Sequence, residues 1–248
     1  MKDHQLKSYH TPDAIEERLK KGPSRSYLRD FIYGAIDGAV TTFAVVSGVA
    51  GARLSFGIVI ILGFANVIAD GFSMAISNFL GTRAEEQLIE RARRREEHHI
   101  EMVPDGEREE IRQIYSKKGF DGDALERIVE VICADKKLWV DTMVTEEWGL
   151  SLESPLPWRA ALVTFGAFVM IGILPLLPFI LHTIYPVLIR NPFLWSALTT
   201  GIAFFTVGAF KSKLLELKWY KGGLETLLVG GSAAALAYLA GFLLKGLG

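Results

Sequence analysis

The amino-acid sequence predicts an all-α integral membrane protein, with five transmembrane helices and a three-helix cytosolic domain inserted between the second and the third. The first observation is that half of the 248 residues are hydrophobic and mean hydropathy is +0.27, although 22% of the residues are charged. The second is that the charges are almost absent from five long windows and crowd into residues 82–153. A chain with this distribution is neither disordered nor an ordinary soluble globule.

Composition and charge also exclude several classes of function. The 27 Lys and Arg residues are balanced by 28 Asp and Glu residues, so the chain lacks the basic excess of a nucleic-acid-binding protein. The single cysteine, Cys133, excludes an intrachain disulfide framework and a zinc site built on cysteines. Residues 1–21 contain no apolar core, so we expect no cleavable signal peptide.

The five windows are each long enough to cross a bilayer, which takes roughly 20 mainly apolar residues. Residues 31–52 and 54–80 contain one charge each, Asp37 and Asp70, and predict the first two spans within 31–81. Residues 160–189, 191–210 and 226–244 contain no Asp, Glu, Lys or Arg and predict three further spans within 156–248. The remainder of the chain is too short to bury five such helices, so we expect them to lie in lipid.

Small residues and prolines indicate how two of these spans pack. Gly34 and Gly38 form a small-xxx-small pair, which allows a close helix contact within the chain or across a dimer axis. Pro175 and Pro178 each lack a backbone N–H donor and should bend the third span. Such a bend either shapes the packing or opens a pathway.

The Lys and Arg residues of the short connections predict the orientation, because they favour the cytosolic side. Five of them lie between residues 18 and 29, and four lie between residues 211 and 221. The connections on the other side carry only Arg53 and Arg190. We therefore expect the N-terminal segment 1–30 and the 82–155 domain in the cytosol, and the C-terminus on the opposite side.

The domain at 82–155 is acidic and helical. Residues 82–153 hold 19 acidic and 12 basic residues, a net charge of −7. The pattern continues the second span as a helix as far as the Pro-Asp-Gly at 104–106. A second helix is predicted over 107–118, with Asp105 as its N-cap. A third, capped by Asp121 or Asp123, is predicted to reach about residue 147.

Carboxylates and a histidine recur at helical spacing in this domain. Glu96 and His99 are three residues apart, as are Glu107 and Glu110, and Glu147 follows Met143 by four. Residues at these spacings share a helix face, and helical bundles hold metals with such pairs. Carboxylate and imidazole suit Fe²⁺, Mn²⁺ and Zn²⁺. The alternative is a solvated acidic face whose charges pair with Arg93–Arg95.

Polar side chains also lie inside the predicted spans. Asp37 and Met74 are each about 9 Å from the cytosolic edge of their span, at 1.5 Å per residue. Asn66, Asp70 and Met74 follow one face of the second span at i, i+4 and i+8. Intramembrane acids are expensive and mark ion pathways, and a thioether beside carboxylates suits a borderline divalent metal. The alternatives are a structural hydrogen bond for the acids and a lipid-facing side chain for Met74.

The stretches DFIYGAIDGAVTTFAVVSGVAGA and GFANVIADGFSMAISNFLGTRAEEQ resemble the first two spans of the vacuolar iron transporter family. The resemblance extends from about residue 30 to the end of the chain. It implies a homodimer that exports Fe²⁺ from the cytosol in exchange for protons, through a pore between the subunits. It also implies that the cytosolic domain collects the metal, which is the transported ion and not a prosthetic group.

The resemblance assigns roles to individual residues. Asp37 and Met74 match the family's pore acid and methionine, whereas Asn66 stands at the next pore acid, with Asp70 one turn further along. The domain residues that match metal-binding positions are Glu96, Glu107, Glu110, Met143 and Glu147. His99 stands where a glutamate is usual, and Val144 where a second methionine is common. With His99 the site would be less anionic and would lose affinity on acidification, because a ligand must be deprotonated to bind.

We therefore expect a proton-coupled transporter for Fe²⁺, or for Mn²⁺ or Zn²⁺, and not an enzyme. Two other classes stay open: a membrane-anchored ferritin-like oxidase or metal store, and a metal sensor that binds without flux. An anchor requires one span and no buried acid, so five predicted spans with two acids favour transport. The residues do not distinguish a plasma membrane from a vacuole-like one.

Overall fold

The computed structural model describes residues 10–21 and 26–246, and the regular secondary structure within them is all helical. The prediction of an all-α fold is therefore confirmed. Residues 1–9 and Arg25, which entered the predictions on signal peptide and orientation, lie outside the described residues. The helices in the described part are α1 Pro12–Lys21, α2 Leu28–Gly51, α3 Phe56–Met102, α4 Pro104–Lys117, α5 Gly122–Ala134, α6 Lys136–Glu146, α7 Pro157–Gly172, α8 Leu177–Ile184, α9 Pro192–Leu214 and α10 Trp219–Leu244.

Four of these helices, α2, α3, α9 and α10, are long and apolar enough to cross a membrane. Helices α7 and α8 meet the same criterion as a pair and are bent by 47° at their junction. Pro175 lies in this junction and Pro178 in the first turn of α8, so the predicted bend is confirmed. Ser196 Oγ donates a hydrogen bond of 2.6 Å to the Pro175 carbonyl, which satisfies an acceptor left by the break. The chain is a multi-pass membrane protein.

Helix α2 is the centre of the membrane bundle, which consists of α2, residues 56–80 of α3, and α7 to α10. It packs against α3, α7, α9 and α10. A methyl group added at Gly34 would lie 2.3 Å from the Thr164 carbonyl oxygen, and one at Gly38 would lie 2.4 Å from that of Phe168. The glycine pair therefore serves the contact between α2 and α7 within the chain, which is the first of the two predicted alternatives.

Helix α3 runs without interruption from Phe56 to Met102, as the sequence predicts, and so connects the membrane bundle to the helical domain. We define the helical domain as the part of α3 after Leu80 together with α4, α5 and α6. Helix α4 starts at Pro104, because proline needs no N–H partner at the first helical position. The prediction that Asp105 caps this helix is wrong, because Asp105 lies in its first turn.

The predicted third helix of this domain is broken into α5 and α6. Asp135 ends α5 and caps α6: its Oδ1 accepts hydrogen bonds from the backbone N–H of Lys137 at 2.9 Å and of Leu138 at 3.2 Å. The prediction of a single helix that ends near residue 147 is therefore wrong. The break turns α6 back onto an apolar core formed by Ala92, Ile100, Ile111, Leu125, Val129, Ile132, Trp139, Val140, Met143 and Val144.

Candidate metal sites

Two glutamates of the helical domain lie at positions that face its core. On α3, Glu96 is spaced four residues from the buried Ala92 and from the buried Ile100, and it is 1% exposed. On α4, Glu107 is four residues from the buried Ile111 and is 3% exposed. Burying a carboxylate is costly unless it is paired or binds a cation. These two residues are therefore not part of a solvated face.

Each of these carboxylates has one bonded and one unsatisfied oxygen. Trp148 Nε1 donates a hydrogen bond of 2.8 Å to Glu96 Oε1, and His99 Nδ1 lies 3.1 Å from Glu107 Oε1. Among the described residues, no hydrogen-bond donor reaches Glu96 Oε2 or Glu107 Oε2 although both oxygens are buried. Only a protonated Glu107 hydrogen-bonds to Glu96, and this bond also raises the pKa of Glu107. Ligand atoms of Glu96, His99 and Glu107 lie within 4.8 Å of one another. A cation between them would satisfy both unpaired oxygens.

Two further glutamates act on this group electrostatically. Burial raises the pKa of Glu107 to about 7, and the negative charges of Glu110, Glu96 and Glu147 contribute. Glu110 and Glu147 are exposed side chains, and the pKa of Glu147 is also raised, first by partial desolvation and then by the charges of Glu96 and Glu110. We call Glu96, His99, Glu107, Glu110 and Glu147 the carboxylate cluster. Its carboxylates repel one another, and a divalent cation bound among them would reduce that repulsion.

The other residues predicted around this cluster make contacts of their own. Met143 is fully buried in the apolar core, beside Val144. Arg93 forms an ion pair of 2.6 Å with Asp141, and the Arg95 guanidinium lies 5.0 Å from the centre of the Trp148 ring. Among the described residues neither Arg93 nor Arg95 forms an ion pair with a cluster carboxylate, although the charge of Arg95 opposes the rise in the pKa of Glu147.

In the membrane bundle, Asp37 and Met74 line the same groove, together with Tyr33 and with Lys211 of α9. Asp37 is half-buried on α2 and Met74 is half-buried on α3. The two residues therefore come together at one level, which is the arrangement expected from their equal depth in antiparallel helices. A carboxylate and a thioether facing one groove provide a hard and a soft ligand for the same cation.

Asn66 and Asp70 form a polar chain that starts from α2. Thr42 Oγ1 donates to Asn66 Oδ1 at 3.3 Å, and the Asn66 amide donates to the Asp70 carboxylate. Asp70 is exposed on the outside of the single chain, within the apolar part of α3, and so are Ser73 and Ser77. A carboxylate on the surface of a membrane helix requires a polar environment beyond the chain itself.

A cavity of about 350 Å³ lies where α2 and α3 approach the helical domain. Two residues that line it, Asp30 and Asn78, are not among the predicted site residues. Asn78 donates to Asp30 Oδ1 at 2.8 Å and to Thr164 Oγ1 at 2.7 Å, and Asp30 is 7% exposed. Met74 lines both this cavity and the groove of Asp37, so the two spaces adjoin. Asn78 extends the i, i+4 series of Asn66, Asp70 and Met74, which is the signal that identifies it.

Comparisons with known proteins agree with the family resemblance. A family model described as the VIT family matches residues 28–242. A protein of Toxoplasma gondii named vacuolar iron transporter is 32% identical over 248 residues, covering 98% of this chain and 82% of its own length.

Other relatives match over a similar extent. A protein of Plasmodium berghei with the same name is 31% identical and covers 96% of this chain and 88% of its own. The vacuolar iron transporter 1 of Arabidopsis thaliana is 32% identical and covers 85% of this chain and 83% of its own. The similarity therefore spans the membrane bundle and the helical domain together.

Proposed function

The chain belongs to the VIT family, and from this membership we propose that it exports Fe²⁺ from the cytosol in exchange for protons. The family and the names of its relatives identify a transporter and not an enzyme, so metal ion transport is the class of function. The proposal adds the direction, the proton coupling and the path. We extend it to Mn²⁺ and Zn²⁺, because carboxylate, amide and thioether ligands accept all three ions.

In the proposed layout, α7 and α8 together form one broken span, which gives five spans. The Lys and Arg residues near the N-terminus and between α9 and α10 favour a cytosolic position for those segments and for the helical domain. The C-terminus then lies on the opposite side of the membrane. The carboxylate cluster would collect cations on the cytosolic side, and the cavity beside Asp30 would lead them to the path.

The observation that carries the proposal is the exposed position of Asp70 within an apolar helix. An ionised carboxylate facing hydrocarbon costs several kcal/mol. A second copy that apposes the same face of α3 would replace lipid by a polar space, lined from both subunits by Asp37, Asn66, Asp70 and Met74. A homodimer with the path between its subunits follows from this argument.

Proton coupling follows from competition for the same carboxylates. A carboxylate binds either a proton or a metal ion, so each excludes the other. A site that alternates between the two sides of the membrane then carries metal outward and protons inward. Asp37 and Asp70 are the acids of the path that can alternate in this way.

A flux assay tests the proposal. Reconstituted full-length protein should move Fe²⁺ into vesicles with an acidic lumen, detected by a metal-sensitive dye inside, and should not do so without a pH gradient. Asp37→Asn should abolish the flux, whereas Asp123→Asn, which changes an exposed acid of α5, should leave it intact. Equal flux with and without the gradient would refute the antiport mechanism, and full activity of Asp37→Asn would remove that residue from the path.

A further inference from the structure

Trp148 contacts the carboxylate cluster from the end of α6, and neither the family resemblance nor the proposed path assigns it a role. The chain reverses there in a short turn: the backbone N–H of Trp148 bonds to the Met143 carbonyl at 3.3 Å and that of Leu150 to the Val144 carbonyl at 3.1 Å. Gly149 has a φ of +63°, a conformation that glycine adopts without strain and that commonly ends helices. The turn therefore fixes where the indole ring lies.

The indole ring is held from two directions. Its Nε1 donates the 2.8 Å hydrogen bond to Glu96 Oε1, and the Arg95 guanidinium stacks at 5.0 Å from the ring centre. An indole N–H can only donate, so Trp148 is the donor and Glu96 the acceptor in this bond, whatever the protonation state of the site. The ring also packs against the apolar core of the domain. Trp148 is thus a rigid donor aimed at one oxygen of Glu96.

The consequence concerns the other oxygen of Glu96. Glu96 is 1% exposed, its Oε1 is occupied by the indole, and its Oε2 is buried without a partner. A free glutamate side chain rotates about three bonds, and fixing one oxygen removes most of that freedom before a ligand arrives. Ligands held by a second layer of hydrogen bonds bind metals about 10 to 100 times more tightly than unsupported ones.

We propose that Trp148 is the positioning residue of the carboxylate cluster: its indole N–H holds Glu96 Oε1 so that Oε2 is reserved for the cation shared with His99 and Glu107. The inference rests on the proposed function of the cluster as a cation-collecting site. Trp148 does not touch the cation in this arrangement. It acts by fixing the orientation of a residue that does.

The helical domain contains a matched control for this role. Trp139 belongs to the same apolar core and is 7% exposed, and its Nε1 is buried without a hydrogen-bond partner among the described residues. Trp139→Phe therefore removes an indole N–H that makes no hydrogen bond among the described residues, whereas Trp148→Phe removes the N–H that donates to Glu96. Both variants keep an aromatic ring in the core.

The experiment measures Mn²⁺ binding to the full-length protein in detergent micelles, in an Asp37→Asn background that weakens binding in the membrane path. We expect Trp148→Phe to weaken Mn²⁺ binding about 10-fold, and Trp139→Phe to leave it unchanged. Thermal unfolding without metal should show both variants folded, with Trp148→Phe the less stable of the two, because its buried Glu96 loses a hydrogen-bond donor whereas Trp139→Phe loses an unpaired one. The visible absorption of bound Co²⁺, which reports its ligands, should change in Trp148→Phe only.

A second readout separates positioning from a merely structural role. With the native Asp37 restored, Trp148→Phe should raise the Fe²⁺ concentration that gives half-maximal flux, while the maximal flux stays constant. The membrane path would be intact, and only the capture of metal would be impaired.

The outcomes are distinct. If Trp148→Phe binds Mn²⁺ like Trp139→Phe, with the same Co²⁺ spectrum, the positioning role is overturned while the proposed function stands. If the Asp37→Asn protein with both tryptophans intact binds no Mn²⁺, the positioning role and the cation-collecting role of the cluster are both overturned, whereas transport through the membrane path is decided by the flux assay alone.

If Trp148→Phe does not fold, indole ¹⁵N spectra of the otherwise unchanged protein answer the question, with Trp139→Phe and the remaining tryptophan variants assigning the signals. A Trp148 N–H signal that shifts with Zn²⁺ while that of Trp139 does not would support the role. A Trp148 signal that does not respond to Zn²⁺ would overturn it.

Discussion

At the scale of single residues, Glu107 connects stability with the proposed metal binding. In the folded protein its pKa is about 7 because it is buried among other carboxylates, compared with an ordinary value of 4.5. The folded state therefore holds a proton that the unfolded chain releases between these two values. Stability from this group is present below pH 4.5 and is lost as the pH rises through about 7. A metal ion bound at the proposed site would replace the proton and reverse that trend.

We therefore predict that, without metal, the full chain unfolds at a lower temperature at about pH 8 than at about pH 5.5. Glu107→Gln, which imitates the protonated form, should remove much of this difference and raise the stability at the higher pH by up to about 3 kcal/mol. It should also gain less from added Mn²⁺. Thermal unfolding followed by circular dichroism in detergent, with and without Mn²⁺, measures all three effects.

The control for Glu107→Gln is Glu130→Gln, which alters an exposed glutamate of α5 that pairs with Arg127. It should leave the pH dependence as in the wild type. A wild-type protein equally stable at both pH values would contradict the interpretation of Glu107.

Met74 provides the soft ligand of the proposed path. We predict that Met74→Leu, which keeps the volume but removes the sulfur, raises the Fe²⁺ concentration for half-maximal flux about 10-fold. Met170→Leu makes the same change at a methionine of α7 that is 62% exposed, and it should have no effect. Flux of Fe²⁺ into vesicles measures both, and an unaltered Met74→Leu would identify Met74 as a packing residue.

At the scale of elements, α3 is the helix that connects the two sites. It carries Asn66, Asp70, Met74 and Asn78 in the membrane bundle and Glu96 in the helical domain, without a break between them. Helix α2 supplies the other wall of the path and is held against α7 by backbone contact at Gly34 and Gly38. The position of Asp37 in the groove therefore depends on a close approach that only glycine permits.

We predict that Gly38→Ala destabilises the full chain by about 1–3 kcal/mol, because the added methyl group meets the backbone of Phe168, which cannot move aside as a flexible side chain would. Gly166→Ala on α7 adds the same group where no atom lies within 4 Å, and it should not destabilise. Thermal unfolding in detergent compares the two. Equal stability of the two variants would mean that α2 and α7 separate without cost.

At the scale of the whole molecule, the described chain leaves the polar side of α3 uncovered. Asp70, Ser73 and Ser77 are exposed there among apolar neighbours such as Ile68 and Phe72. A monomer would present these groups to lipid. Two copies meeting at this face would enclose them in a common polar space, which is why the proposed path requires a dimer.

We predict that Ser73→Cys, introduced into a Cys133→Ser background, forms a disulfide-linked dimer on mild oxidation in native membranes. Leu228→Cys, at a site on α10 that is 64% exposed, lies on a different helix from the proposed interface and should remain monomeric. Non-reducing gel electrophoresis distinguishes the two. Cross-linking of Leu228→Cys with none at Ser73→Cys would place the interface on another face.

The sequence by itself determined the apolar helices, the bend near Pro175, the acidic insertion and the residues proposed to bind metal. Each of these features can be recognised from local composition or from residue spacing along a helix. Tertiary structure alone decided that Asp135 breaks a helix, that Gly34 and Gly38 pack within the chain, and that Trp148 reaches Glu96. The physical reason is that hydropathy and helical periodicity are properties of short stretches of the sequence. By contrast, the burial of Glu96 and Glu107 and their hydrogen bonds depend on helices that meet only after folding.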